Sequence, residues 1–197
     1  MAYDPNIHHR RSIRLPGYDY AQAGAYFVTV CTYWREMLFE DDRLRAMVEE
    51  VWQAVTAAHD ANPADGFVVM PNHVHGIIWI ATDAVVGAQQ HHREAQRKMG
   101  RLVPAAAVLD ADRHVAAPLR RVIPGSLGAV ARAFKSATAK RINNIRGTPG
   151  ARVWQRNYYE HIIRDEDELT RVRQYIRDNP AKWAGDPDNP KSWPRTP

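Results

Sequence analysis

Cysteine is almost missing from this chain: Cys31 stands alone among 197 residues. One thiol cannot close a disulfide within the chain, and a thiolate metal site needs more than one. Cys31 lies in an apolar run and reads as a core residue. Long apolar stretches are missing too; none approaches the ~20 residues that cross a bilayer. Residues 1–14 are polar and basic, without the apolar core of a secretory leader. These absences set the expectation of a cytoplasmic protein that leaves membranes alone. Nor is there a strong charge of one sign. Lys and Arg number 27 against 22 Asp and Glu, a net charge of +5. That excess fits a polyanionic partner, although its placement matters more than its sum.

What is present is enough for one folded domain. Hydrophobic residues make up 45% and charged residues 25%, close to globular averages. The β-branched and aromatic run 25–32 predicts a strand. Over 41–59, Leu44, Met47, Val48, Val51 and Val55 recur at spacings of three and four, the stripe of an amphipathic helix. Segments 67–70 and 73–80 read as strands, with Pro71-Asn72 between them as a turn or bulge. Residues 82–122 lack a sustained period and read as a long, partly mobile insertion. A basic helix is predicted over 126–146, its buried face marked by Leu127, Val130, Phe134, Ala137 and Ile145. A strand follows within 153–163. A third helix starts at Asp165, with Glu168 at capping-box spacing, and Asn179-Pro180 is expected to end it. The tail 181–197, with four prolines, should be irregular. Several loops are too short for parallel crossovers, so the fold class is α+β: a mostly antiparallel sheet with helices packed on it. The domain limits expected are a basic arm over 1–23, a folded domain over 24–180 carrying the insertion, and the tail.

Three features carry chemistry. In His73-Val74-His75 the imidazoles sit at i and i+2 of a strand, so both project to one side and converge, which is half of a metal site. His-x-His also arises by chance on surface strands. Its setting favours a site: a turn comes just before it and Gly76 just after, where a strand glycine often marks the close approach of a ligand or another backbone. On the third helix, Tyr175 and Asn179 are four apart and share a face. Asn179 can offer a carbonyl oxygen to a hard cation. Tyr175 can offer a phenol, a poor nucleophile when neutral and unassisted. In isolation the pair reads equally as a packed ring and a helix end. The basic helix offers Arg132, Lys135, Lys140 and Arg141, with Arg156 beyond it, to phosphates. Trp154, Tyr158 and Tyr159 interleave aromatics there, as binders of single strands do for base stacking, and read equally as core or rim residues of the sheet.

Taken together these segments resemble a known family. Val69-Met70-Pro71-Asn72-His73-Val74-His75-Gly76-Ile77-Ile78 resembles the His-hydrophobic-His segment of the HUH nuclease superfamily, and specifically of REP-associated tyrosine transposases and their insertion-sequence relatives. Trp154-Gln155-Arg156-Asn157-Tyr158-Tyr159-Glu160-His161 is similar to the segment before that family's catalytic helix, and Arg173-Gln174-Tyr175-Ile176-Arg177-Asp178-Asn179-Pro180 to the helix itself. Arg11 to Tyr20, with Arg14 among them, and Ala133-Phe134-Lys135-Ser136 also match. The likeness spans nearly the whole chain except 82–122 and the tail.

The resemblance implies a ferredoxin-like sheet and a divalent ion, Mg2+ or Mn2+, held by His73, His75 and Asn179. It implies Tyr175 as the nucleophile that nicks single-stranded DNA through a 5′-phosphotyrosine link and later rejoins it. It further implies hairpin-forming palindromes as substrates, DNA contacts from Arg14, Arg132, Lys135, Lys140, Arg141 and Arg156, and, in some members, a homodimer. A hairpin binder that no longer cuts is the alternative, as is a metal hydrolase that would need an acidic group near the histidines.

Overall fold

The computed structural model describes residues 18–58, 65–80, 125–186 and 188–192. The insertion 82–122, most of the N-terminal arm with Arg14, and residues 193–197 lie outside the described residues. Four strands form one antiparallel sheet: β1 (Gly24–Cys31), β2 (Phe67–Met70), β3 (His73–Ile80) and β4 (Tyr159–Ile163), in the order β2-β3-β1-β4. Three helices flank it: α1 (Asp42–Ala57), α2 (Leu127–Arg146) and α3 (Glu166–Lys182). The architecture is α+β, as the sequence predicts. Among the described residues no helix is long and apolar enough to cross a membrane.

β1 is an interior strand, buried along all but its first residue, and so it reads as a continuous apolar run. It pairs with β3 from Gly24↔Ile80 to Cys31↔His73. Pro71 and Asn72 form the two-residue loop of the β2–β3 hairpin, since Met70 pairs with His73.

The strand period of two sorts the residues onto two faces. Tyr26, Val28, Val30, Val74, Ile78 and Ile80 join a core with Leu44, Val48 and Trp52 of α1 and Leu127, Val130 and Phe134 of α2. Ala25, Phe27, Ile77 and Ile163 face the other way and pack with Leu169 and Ile176 of α3. His73 and His75 share the parity of Ile77, so they lie on the α3 side.

Three expectations are corrected. The buried row of α2 runs through Leu127, Val130, Phe134, Thr138 and Ile142, and Ile145 is exposed. The step from Phe134 to Thr138 hid the row, because a polar residue occupies a core position; its hydroxyl donates to the Phe134 carbonyl and accepts from Trp154 Nε1. Pro180 does not end α3, which continues to Lys182. The missing N–H removes one helical hydrogen bond, and only two helical residues follow it. The tail then forms 3-10 turns at Trp183–Gly185 and Pro190–Ser192.

Gly76 also has a different reason from the expected one. A Cβ there would overlap the Trp52 ring of α1, on the face away from the histidines. The close approach on that side is an indole. Gly76→Ala should therefore destabilise the fold by about 1–3 kcal/mol through overpacking. Urea denaturation measures it, and a stability equal to the native protein's would show that the ring yields freely.

Candidate metal and tyrosine site

The hairpin loop places the first histidine and fixes its tautomer. Asn72 Nδ2 donates to the carbonyls of Asp188 at 2.7 Å and Arg35 at 3.4 Å. Those two acceptors settle which way the amide points, so Asn72 Oδ1 is the atom 2.8 Å from His73 Nδ1. Nδ1 must then carry the proton, which leaves a lone pair on His73 Nε2. That Nε2 stands 3.0 Å from His75 Nε2. On the far side, His75 Nδ1 meets the Thr29 hydroxyl at 2.8 Å, across the β1–β3 register that pairs Thr29 with His75. Each imidazole is thus gripped at Nδ1 and aims Nε2 at the same point, with exposures of 0% and 3%. The His73 lone pair is met either by a proton on His75 Nε2, with the Thr29 hydroxyl donating to His75 Nδ1, or by a cation between the two rings.

α3 brings the other two groups. Tyr175, Asn179 and Trp183 lie on one row at spacings of four. The Tyr175 ring is 5.3 Å from the His75 ring, and the Trp183 ring is 5.9 Å from His73. Asn179 lies between them on that row. Its side chain is buried, and its Oδ1 has no hydrogen-bond partner among the described residues. A buried amide carbonyl without a donor costs about 1–3 kcal/mol. A divalent ion ligated by two imidazoles and this oxygen would satisfy it, so the residues fit such a group. Among the described residues there is no cluster of three His, Cys, Asp or Glu that could hold a metal. Tyr175 is 45% exposed, its ring edge-on to Phe27 at 5.8 Å. The phenol therefore sits at the mouth of the site, beside the buried histidines.

Two polar clamps hold α3 against the sheet. Arg173, two residues before Tyr175, donates to both carboxylate oxygens of Asp65 at 2.6 and 2.9 Å. Trp79 Nε1 of β3 donates to the same carboxylate. The Arg173 hydrogen bonds hold the Asp65 carboxyl below the usual range, against the opposing effect of burial. At the helix start, Asp165 caps the Glu168 N–H at 2.7 Å. Glu168 reaches the Arg164 N–H at 2.8 Å and His161 Nε2 at 2.6 Å, and those contacts hold its carboxyl low.

Removal of the first clamp should depend on pH. Arg173→Leu leaves Asp65 buried as an unmatched carboxylate at neutral pH, for about 1–3 kcal/mol after allowance for the half-exposed guanidinium. The folded pKa of Asp65 is depressed, so its stabilisation is present above the unfolded value of ~3.9 and disappears as pH falls through the folded one. The gap between native and variant in urea midpoints should be open at pH 7 and narrow only as pH falls below ~3.9, through the lowered folded value. A gap that stays constant would mean that the ion pair contributes nothing.

The residues expected on phosphates are spread out. Arg132, Lys140 and Arg156 are exposed. Arg141 pairs with Glu50 of α1 at 2.8 Å. The Lys135 amine donates to the carbonyls of Gln155 at 2.6 Å and Arg156 at 3.0 Å, and burial lowers its pKa to about 8. It clasps the segment leading into β4, which enters the sheet at the histidine end, since Tyr159 pairs with Thr29. Among the described residues expected to contact DNA, Lys135 and Arg156 meet at one segment. His161 lies on the α3 face, paired with Phe27, while Glu160 pairs with Val28 and turns to the other side.

Thr29, Asn72, Asp65 and Trp183 escaped the sequence reading. Only Asn72 carried a local signal, as a polar residue in a tight loop directly before a histidine.

The chain matches no model of a known protein family. It is 33% identical over 195 residues to an uncharacterized protein of Haemophilus influenzae (strain ATCC 51907 / DSM 11121 / KW20 / Rd), covering 93% of this chain and 95% of that protein. The chain belongs to the family of that protein. Among solved structures it is similar to a REP-associated tyrosine transposase bound to a REP hairpin, with a TM-score of 0.51 and 18% identity, over 86% of this chain and 74% of that one. At that identity the likeness is one of fold: the same arrangement of sheet and helices carries the two histidines and the tyrosine helix here.

Proposed function

We propose that this protein is a metal-dependent single-strand DNA transesterase of the tyrosine transposase type. The observation that carries the reading is the convergence of two Nε2 atoms 3.0 Å apart beneath a helix row that holds an unsatisfied amide oxygen and an exposed phenol. A structural histidine pair would not need the amide, and a helix-end asparagine would not need the histidines. The fold shared with a transposase captured on a hairpin supports hairpin DNA as the substrate. The catalytic domain would span 24–180, with 82–122 as an insertion and 181–197 as a tail.

His73, His75 and Asn179 would hold Mg2+ or Mn2+, which supplies Lewis-acid polarisation of a phosphate. Asn72 and Thr29 orient the imidazoles, as outer partners of metal-binding histidines do. The Tyr175 oxygen attacks phosphorus in line. The P–O3′ bond breaks, the proton given up by the phenol ends on the departing 3′-oxygen, and the 5′-phosphate stays on the tyrosine. One phosphodiester replaces another, so the bond energy is kept and the hydroxyl can reverse the step. Phe27 packs the His75 ring at 5.4 Å and shields that side of the site from water.

The test is a denaturing gel of labelled hairpin DNA incubated with the protein and Mn2+. A slow covalent band that is lost on chelation is the expected result. Cleavage without a band would favour a hydrolase, and binding with neither product would favour a hairpin binder.

A further inference from the structure

The turn after β1 carries a side chain that the proposed reaction does not use. Across Tyr33-Trp34-Arg35-Glu36 the Glu36 N–H donates to the Tyr33 carbonyl at 3.2 Å. Trp34 has φ 55° and ψ 20°, and Arg35 has φ 55°. Both central residues are left-handed, the pattern of a type I′ turn, which Asn and Gly usually fill. Any residue with a Cβ is disfavoured there. Among the described residues these are the non-glycine positions with positive φ.

The two strained residues are held differently. Arg35 is fixed from several sides: its carbonyl accepts from Asn72 Nδ2 at 3.4 Å and its guanidinium pairs with Asp188 at 2.8 Å. Trp34 presents its indole outward, 60% exposed. Its ring lies 5.5 Å from that of Tyr33, and the Arg152 guanidinium sits 4.9 Å over the Tyr33 ring. Among the described residues Arg152 has no carboxylate partner. The result is an exposed indole set edge-on to Tyr33, at 62° between the ring planes, with a cation over the Tyr33 ring. Asn72 ties this turn to the site, because the same amide that reaches the Arg35 carbonyl fixes His73. Strain kept at an exposed aromatic next to a site is a mark of function rather than of folding.

We propose that Trp34 is a stacking platform for an unpaired nucleobase of the single-stranded substrate, with Arg152 on the neighbouring phosphate. This rests on the DNA-processing reading above. Every base offers a π-face, so the platform is tolerant of sequence and positions a strand rather than selecting one. The neighbouring guanidinium suits a polyanion, which a hydrophobic protein partner would not require.

The test uses Trp34→Gly, which removes the ring and relieves the left-handed strain together. Fluorescence anisotropy in EDTA compares a short labelled oligothymidylate with an abasic strand of the same length. Trp34→Gly should bind oligothymidylate about 5- to 150-fold more weakly, the range for one lost base stack. It should match the native protein on the abasic strand, and its Tm should be equal or higher. Trp34→Phe should recover part of the base-dependent affinity. Equal affinity for oligothymidylate, an equal loss on the abasic strand, no binding by the native protein, or a Tm that falls with the affinity would each overturn the proposal. Without a divalent ion nothing is cut, so a failure of adduct formation bears on Tyr175 alone and leaves this comparison standing.

Discussion

Tyr175→Phe should abolish the covalent protein–DNA adduct and lower the cleavage rate by at least ~10^3-fold, as removal of a nucleophile does elsewhere. The change deletes one oxygen and keeps the ring. The edge contacts to His75 at 5.3 Å and Phe27 at 5.8 Å therefore survive, and the phenol is half exposed. Stability and the Mn2+-induced rise in Tm should stay close to native. That separation is what identifies a nucleophile: chemistry is lost, while the fold and metal affinity remain. Tyr159 is the rival the geometry offers, because it lies on the α3 face, paired with Thr29 and 6.2 Å from Phe27 by ring centroid. An adduct that persists in Tyr175→Phe and vanishes in Tyr159→Phe would move the role to β4.

The parts of this fold that were legible in the sequence are those with a strong period. The stripe Leu44, Met47, Val48, Val51 of α1 is buried as its spacing requires. The i, i+2 rule for His73 and His75 holds because β3 is a regular strand, paired on both sides. Chemistry that depends on pairing across the sheet was not legible. Thr29 is an ordinary strand residue until the register sets it opposite His75, 46 positions away in sequence. Asp65 and Arg173, 108 positions apart, look like two surface charges until α3 folds over the β2–β3 hairpin. Gly76 was misread for a related reason. A strand glycine announces a close approach, but only the packed structure names the visitor, and here it is Trp52.

Lys135 shows how local composition misleads about charge. A basic helix predicts cations in water, yet burial makes this amine easier to deprotonate, and nearby carbonyls replace its solvent. A lysine so placed shapes the segment before β4, and its phosphate role would need the amine to leave those carbonyls. Arg156, which contributes one of those carbonyls and keeps an exposed side chain, is the better placed of the two to meet a strand near the histidines.

Asn179 gives the sharpest separation between a metal ligand and a helix-end residue. Asn179→Leu keeps the volume and removes the orphaned carbonyl. Without metal the protein should be as stable as native or more so, by up to ~1–3 kcal/mol, because a buried polar group without a partner has gone. The variant should lose Mn2+ affinity by ~100-fold or more, beyond what loss of an outer partner costs. Its cleavage rate should fall with it. A functional group that destabilises the metal-free fold and is recovered on binding is the signature of a site held ready for its ion. Thermal melts with and without Mn2+ read both effects at once. If the metal-free Tm drops and the Mn2+ increment is unchanged, Asn179 only shapes the last turn of α3, and the two histidines must find their third ligand elsewhere.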